Sequence, residues 1–207
     1  MLLEWIVTIA FVSAPCDLPF AIEPSTSLPS FPEATLKAMR EDGVALFSGQ
    51  EAGAGTRYIK ALVLFDASAD ETMKLLTQTA RQVEYLPLLK RATVLEHQSH
   101  ENVEKHEVKA GLFTVVYQMR HHWNMSTRQI WWCLNANADN DLKVARGYWR
   151  IYPLDSTQSI GEYGTHVDVG TAVPQFLQDF AVRKDVPKAL NNQRLWVNSG
   201  GTFKYKS

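Results

Sequence analysis

The chain has 207 residues, enough for one good-sized domain with an extension, and two full domains would be cramped. Its net charge of −1 gives no general attraction to phosphate backbones or anionic surfaces, so a nucleic-acid role has nothing to start from. Hydrophobic residues make up 45 % and charged residues 21 %, the balance of an ordinary globular protein.

Residues 1–14 contain a short apolar run, Trp5 to Val12, too short to span a bilayer. The run has the look of a secretory h-region, with Val12-Ser13-Ala14 as a small-residue cleavage site. Against that reading stand Glu4 in place of a basic n-region and Pro15 directly after the cut. Export and cytoplasmic residence are therefore both kept open. Residues 15–32 carry five prolines and read as an extended linker. Cys16 and Cys133 are the only cysteines, and a disulfide framework is not expected from them. Cys133 is read as a small buried hydrophobe.

A short helix is predicted from Pro32 to Gly43, with proline near its start and glycine at its end. Val44 to Ser48 reads as a strand, and Arg57 to Phe65 as a strand covered on both faces. Ser68-Ala-Asp-Glu71 is a capping box opening a helix that runs through Met73, Leu76 and Ala80. A short turn from Gln82 to Leu86 ends at Pro87. Six strand-like segments follow: Arg91 to Gln98, Val103 to Ala110, Phe113 to Asn124, Arg128 to Asn135, Leu142 to Tyr152, and Ser159 to Val169. Short turn-forming links between them favour an antiparallel meander. A helix from Pro174 to about Val197, kinked at Pro187, closes the chain before Gly200-Gly201.

This order excludes a doubly wound α/β fold, which alternates strand and helix. The expected class is α+β: a curved antiparallel sheet wrapped around a long C-terminal helix, with an apolar space between them. The segments Ala67 to Glu96 (with Leu86-Pro87), Gly147-Tyr-Trp-Arg-Ile-Tyr-Pro153, Tyr163, Val173-Pro174-Gln-Phe-Leu, and Asn192-Gln-Arg-Leu carry a resemblance in their order and spacing. They resemble the START-like, SRPBCC helix-grip superfamily of polyketide-cyclase and coenzyme-Q-binding type. The resemblance covers roughly Tyr58 to Val197 and implies a helix-grip fold. The ligand-binding domain is accordingly placed at residues 33–200. The resemblance implies binding, and transport, of a hydrophobic small molecule such as a lipid, sterol or isoprenoid quinone. The alternative it admits is a polyketide cyclase or aromatase acting on a hydrophobic substrate, because this fold hosts both, but a carrier rather than an enzyme is the preferred reading.

Strand parity nominates the lining. Tyr117, Met119, His121 and Trp123 share one face of a strand, Trp132 faces inward on the next, and Trp149, Tyr163, Phe176 and Phe180 complete the set. His121 and Tyr117 are the expected polar handles for a ligand oxygen. No catalytic residue, cofactor or metal ligand is assigned. His121 and His122 point to opposite faces of a strand. His97, His100 and His106 are expected to be solvated around a turn, and no zinc-type spacing is seen. Glu162, His166 and Asp168 are likewise read as solvated, with Arg146 and Arg150 exposed. No inward-facing Asp, Glu or Lys stands out. The expected partner is the hydrophobic ligand alone, with transient membrane contact and no oligomeric state assigned.

Overall fold

The structure, a computed structural model, describes Cys16 and residues 28–50, 57–168 and 186–206. Its first element is helix α1 (Glu33–Asp42), stopped by Gly43 in the left-handed region at φ 76°, where a Cβ would be strained. Strands β1 (Val44–Gln50) and β2 (Arg57–Phe65) follow. Helix α2 (Ala69–Leu76) is capped by Ser68, whose hydroxyl accepts from the Glu71 amide at 3.3 Å. It is shorter than the sequence pattern suggested. A separate 3-10 helix (Thr79–Glu84) takes up the remainder.

The strands β3 (Leu89–Gln98), β4 (Glu101–Ala110), β5 (Phe113–Asn124), β6 (Gln129–Leu134), β7 (Val144–Pro153) and β8 (Ser159–Asp168) form the expected meander. All eight strands lie in one antiparallel sheet of order β1-β2-β8-β7-β6-β5-β4-β3. Because β2 pairs with β8, the chain must cross from the β2 side to the far edge before β3. Helix α2 and the 3-10 helix make that crossing.

Helix α3 (Val186–Asn198) packs on the inner face of the sheet. Pro187 stands at its second described position. The part of the expected helix that precedes Pro187 and would define its kink, including Phe176 and Phe180, lies within residues 169–185, outside the described residues. The same holds for the apolar N-terminal run and most of the Pro/Ser stretch. Among the described residues no helix is long and apolar enough to cross a membrane.

Sheet parity divides the buried residues into two layers. Ala61, Val63 and Phe65 of β2, Trp149 and Ile151 of β7, and Leu190, Trp196 and Val197 of α3 share the inner core with α2. Met39 of α1 packs with Ala45, Leu62 and Ile160 on the outer face. Helix α3 is fixed by polar ties as well as burial. Asn192 Nδ2 donates to the Tyr85 carbonyl at 3.0 Å, and Arg194 Nε donates to the Leu64 carbonyl at 3.0 Å. Trp196, fully buried, stacks at a tilt on Tyr85 with centroids 4.9 Å apart.

The outer face corrects several sequence expectations. Glu162 is buried rather than solvated: the hydroxyls of Tyr148 and Tyr152 each donate to its carboxylate at 3.0 Å. Arg150 lies 3.5 Å and Lys60 3.7 Å from the same carboxylate, so Arg150 is an ion-pair partner and not an exposed cation. Arg146 is half-buried beside them, and His166 and Asp168 are also half-buried. Cys133, which faces outward on β6, is not a lone hydrophobe. It forms a disulfide with Cys16, with Cα atoms 5.7 Å apart across 117 residues of sequence.

Candidate functional site

Between the inner face of the sheet, the 3-10 helix and α3 lies a cavity of about 350 Å³. That is within the roughly 300–1,000 Å³ typical of small-molecule sites. The wall is mainly apolar, with Leu76, Leu86, Ile130, Leu142, Trp149 and Leu190 among its members. Two glycines make room for the large rings. A Cβ on Gly147 would collide with the Trp132 ring, and one on Gly161 would come within 2.7 Å of Phe65 and Trp149.

Of the residues nominated from parity, Tyr117, Met119, His121, Trp132, Trp149 and Tyr163 all line this cavity. Their rings form a nearly continuous array: His106 to His121 at 5.7 Å, His121 to Trp132 at 6.5 Å, Trp132 to Tyr163 at 5.7 Å, and Tyr163 to Trp149 at 4.9 Å. Trp123 is the exception among the described nominees. Its side chain is spent in the inner core against α2 and α3 and does not reach the cavity wall.

The structure adds a polar cluster that the sequence reading dispersed. On β4, Asn102, Glu104, His106 and Val108 alternate onto the inner face, because β4 pairs with β5 so that Asn102 opposes His121 and His106 opposes Tyr117. His106 is therefore buried at 3 % exposure and lines the cavity, not a solvated turn. Glu104 is fully buried, an inward carboxylate where none was expected. The signal was present as Glu104-x-His106, two polar residues of equal parity on a strand whose partner carries His121.

Glu104 is held from both sides. Its Oε1 accepts from Thr79 Oγ1 at 2.5 Å and from Asn102 Nδ2 at 3.4 Å. Its Oε2 lies 3.1 Å from His106 Nε2 and 3.9 Å from His121 Nδ1. Asn102 is itself braced, with its Oδ1 2.6 Å from His97 Nδ1. Burial pushes the Glu104 carboxyl up, but the His106 hydrogen bond, the neighbouring His121 and the Thr79 hydroxyl outweigh it and leave the pKa below the usual value. His121 goes down to about 3, chiefly through burial and then through the proximity of His106, so its imidazole is neutral near pH 7. Burial raises the Tyr117 phenol above its ordinary range and pushes Tyr163 up to about 12, keeping both as neutral donors.

Two features of this cluster bear on its chemistry. His121 Nδ1 is buried without a hydrogen-bond partner, which is rare for a polar atom in a folded interior. One ligand-type atom from each of Glu104, His106 and His121 also lies within 4.8 Å of the others, a compact set able to hold a metal ion. The apolar cavity thus has one polar corner, rich in nitrogen and oxygen.

A sequence model of the family described as polyketide cyclase / dehydrase and lipid transport matches residues 65–194. No curated protein matches the sequence. Among solved structures, the chain is similar to a STAR-related lipid transfer protein from Xanthomonas axonopodis, with TM-score 0.61 and 16 % identity over 84 % of this chain and 98 % of that one. It is similar to a protein from Thermus thermophilus, TTHA0849, with TM-score 0.60 and 12 % identity over 70 % of this chain and 99 % of that one. The Zhui aromatase/cyclase from Streptomyces sp. R1128 gives TM-score 0.56 and 17 % identity over 68 % and 93 % of the two chains. Identities this low establish a shared helix-grip fold and nothing finer.

Proposed function

The chain belongs to the polyketide cyclase / dehydrase and lipid transport family, and we propose that it binds and carries a largely apolar small molecule in the cavity between sheet and C-terminal helix. The single observation behind this is the partly open cavity of about 350 Å³, walled by aliphatic and aromatic side chains with a few convergent polar groups. Residues 33–200 form the binding unit. Met119, Trp132, Trp149 and Tyr163 supply apolar contact to the guest. Tyr117 and His121 meet an oxygen on the guest, as a hydroxyl or carbonyl of a sterol, quinone or lipid would present it. Lipid transfer is the named role of the similar Xanthomonas axonopodis protein, which supports this reading.

Exchange of the guest suits transient contact with a membrane. Leu112 is fully exposed and Phe113 partly so at the β4–β5 turn, on the strand that leaves the cavity through Val108. The net charge of −1 supports no nucleic-acid partner.

The test is native extraction of the purified full chain followed by mass spectrometry of released small molecules. A carrier yields a stoichiometric apolar compound, and its loss in a Trp149→Ala variant places it in the cavity. An empty protein that takes up no lipid, sterol or quinone from vesicles ends this reading.

One observation favours a second reading. His106 at the cavity wall and Glu104 buried 3.1 Å behind it are an acid/base pair of the type that a cyclising enzyme needs. Turnover of a polyketide-like substrate that disappears in Glu104→Gln, with the apolar guest still bound, would move the protein to that class.

A further inference from the structure

We propose that Glu104, His106 and His121 form a binding site for one divalent transition-metal ion of the zinc type, with its open coordination side toward the cavity. Two imidazoles and one carboxylate are the donor set that zinc takes where a fourth position is left for water or substrate. Metal–ligand bonds of roughly 2.0–2.2 Å put neighbouring ligand atoms some 3–4 Å apart. The separations here are 3.1 Å for Glu104 to His106 and 3.9 Å for Glu104 to His121. All three ligand atoms fall within 4.8 Å of one another, so only a small closure of side chains is needed.

Two further observations point to an ion. A simple glutamate–histidine hydrogen bond accounts for His106 but leaves His121 Nδ1, aimed at the same carboxylate, without a partner. A cation between them satisfies it. The carboxylate is also presented in the manner of a metal ligand. Thr79 and Asn102 hold Oε1, with His97 behind Asn102, and this leaves Oε2 turned toward both imidazoles. The cluster draws on β4, β5 and the 3-10 helix, so the donors are set by the fold and not by a mobile loop. His106 and His121 line the cavity while Glu104 sits behind them. An ion held by all three therefore faces the guest space, where an oxygen completes its shell. The site does not depend on the carrier reading, and each can fail without the other.

The test uses the full chain, stripped with a chelator and titrated with Zn²⁺ alone by calorimetry and with Co²⁺ alone by visible absorption. One ion per chain is expected, with Co²⁺ d–d bands that Zn²⁺ abolishes. Glu104→Gln and His121→Gln should remove the bands, and Asn102→Leu should weaken affinity roughly 10–100-fold. His122→Gln, on the opposite face of the same strand, should change nothing. Absence of stoichiometric binding in the unmodified chain overturns the proposal whatever the variants do. So does equal affinity in Glu104→Gln and His121→Gln, which would place the ion elsewhere. Where Glu104→Gln does not melt cooperatively, His106→Gln and His121→Gln carry the same comparison.

Discussion

The sheet buries one glutamate on each face, and the two are treated differently. Glu162, outside, is surrounded by what a carboxylate needs: two phenol hydroxyls at 3.0 Å, with Arg150 and Lys60 within 4 Å. Glu104, inside, receives a hydroxyl and an amide on one oxygen and the His106 imidazole on the other, and the His121 Nδ1 nearby is left over. The outer cluster fully pairs its carboxylate and links β2, β7 and β8. The inner cluster stands beside a space that a guest can enter. A burial value alone would not separate them, since both lie below 4 % exposure. What separates them is whether the polar atoms are used up by the protein itself.

The comparison can be broken by removing each side in turn. The largest effect belongs to Glu162→Leu, which takes away the carboxylate that Lys60 and Arg150 face in a mostly buried setting. Breaking a buried ion pair from one side costs about 3–5 kcal/mol in urea unfolding, with ligand occupancy of the surviving folded fraction unchanged. A smaller loss, about 2–4 kcal/mol by the same measurement, is expected for Cys133→Ser, because the cross-link spans a long loop.

Acid acts on the inner face. The unfolded His121 takes a proton near pH 6.5 and the folded one only near 3, so in between the unfolded chain binds the extra proton. Stability of the metal-free protein therefore falls as pH drops below 6.5, by up to about 1.4 kcal/mol per pH unit from this group. Glu104, with its folded pKa lowered, adds a loss of the same sign below the ordinary carboxylate range. Thermal melts across pH 7 to 4 check this, and a flat profile contradicts it.

The smallest effect sharpens the distinction most. His121→Phe replaces a partnerless buried polar atom with an apolar ring, so stability should hold or rise by about 1 kcal/mol. Affinity for an oxygen-bearing guest should fall about tenfold, the loss of one hydrogen bond of roughly 1.4 kcal/mol. Unchanged affinity would remove His121 from the site.

Most of the fold could be read before any coordinates, and the reasons are local. Turn residues such as Gly111 and Ser126 separate strands whose alternation survives because one face is buried, and Ser68 caps α2 where its spacing to Glu71 requires. Parity alone nominated six described residues that the fold brings to the cavity wall. It failed at Trp123, because inward on a curved sheet means core near α2 and α3 and cavity only further along the strand. It failed for Glu104 and His106 because their neighbourhood, Ser99 to Lys109, is so polar that it reads as solvated. The inner layer there is built across β4 and β5, and pairing register is not written in one strand. Glu162 was missed for a related reason. Its partners Lys60, Tyr148 and Arg150 come from separate strands, and only the β2-β8-β7 order brings them together.

The bond between Cys16 and Cys133 ties this architecture to the chemistry of its surroundings. Cross-links of this kind persist where thiols are not continually reduced, as outside the cytosol. Made there, the chain has residue 16 stitched to the back of β6. Kept in a glutathione-rich cytosol, the same polypeptide would carry two free thiols and lose this long-range tie.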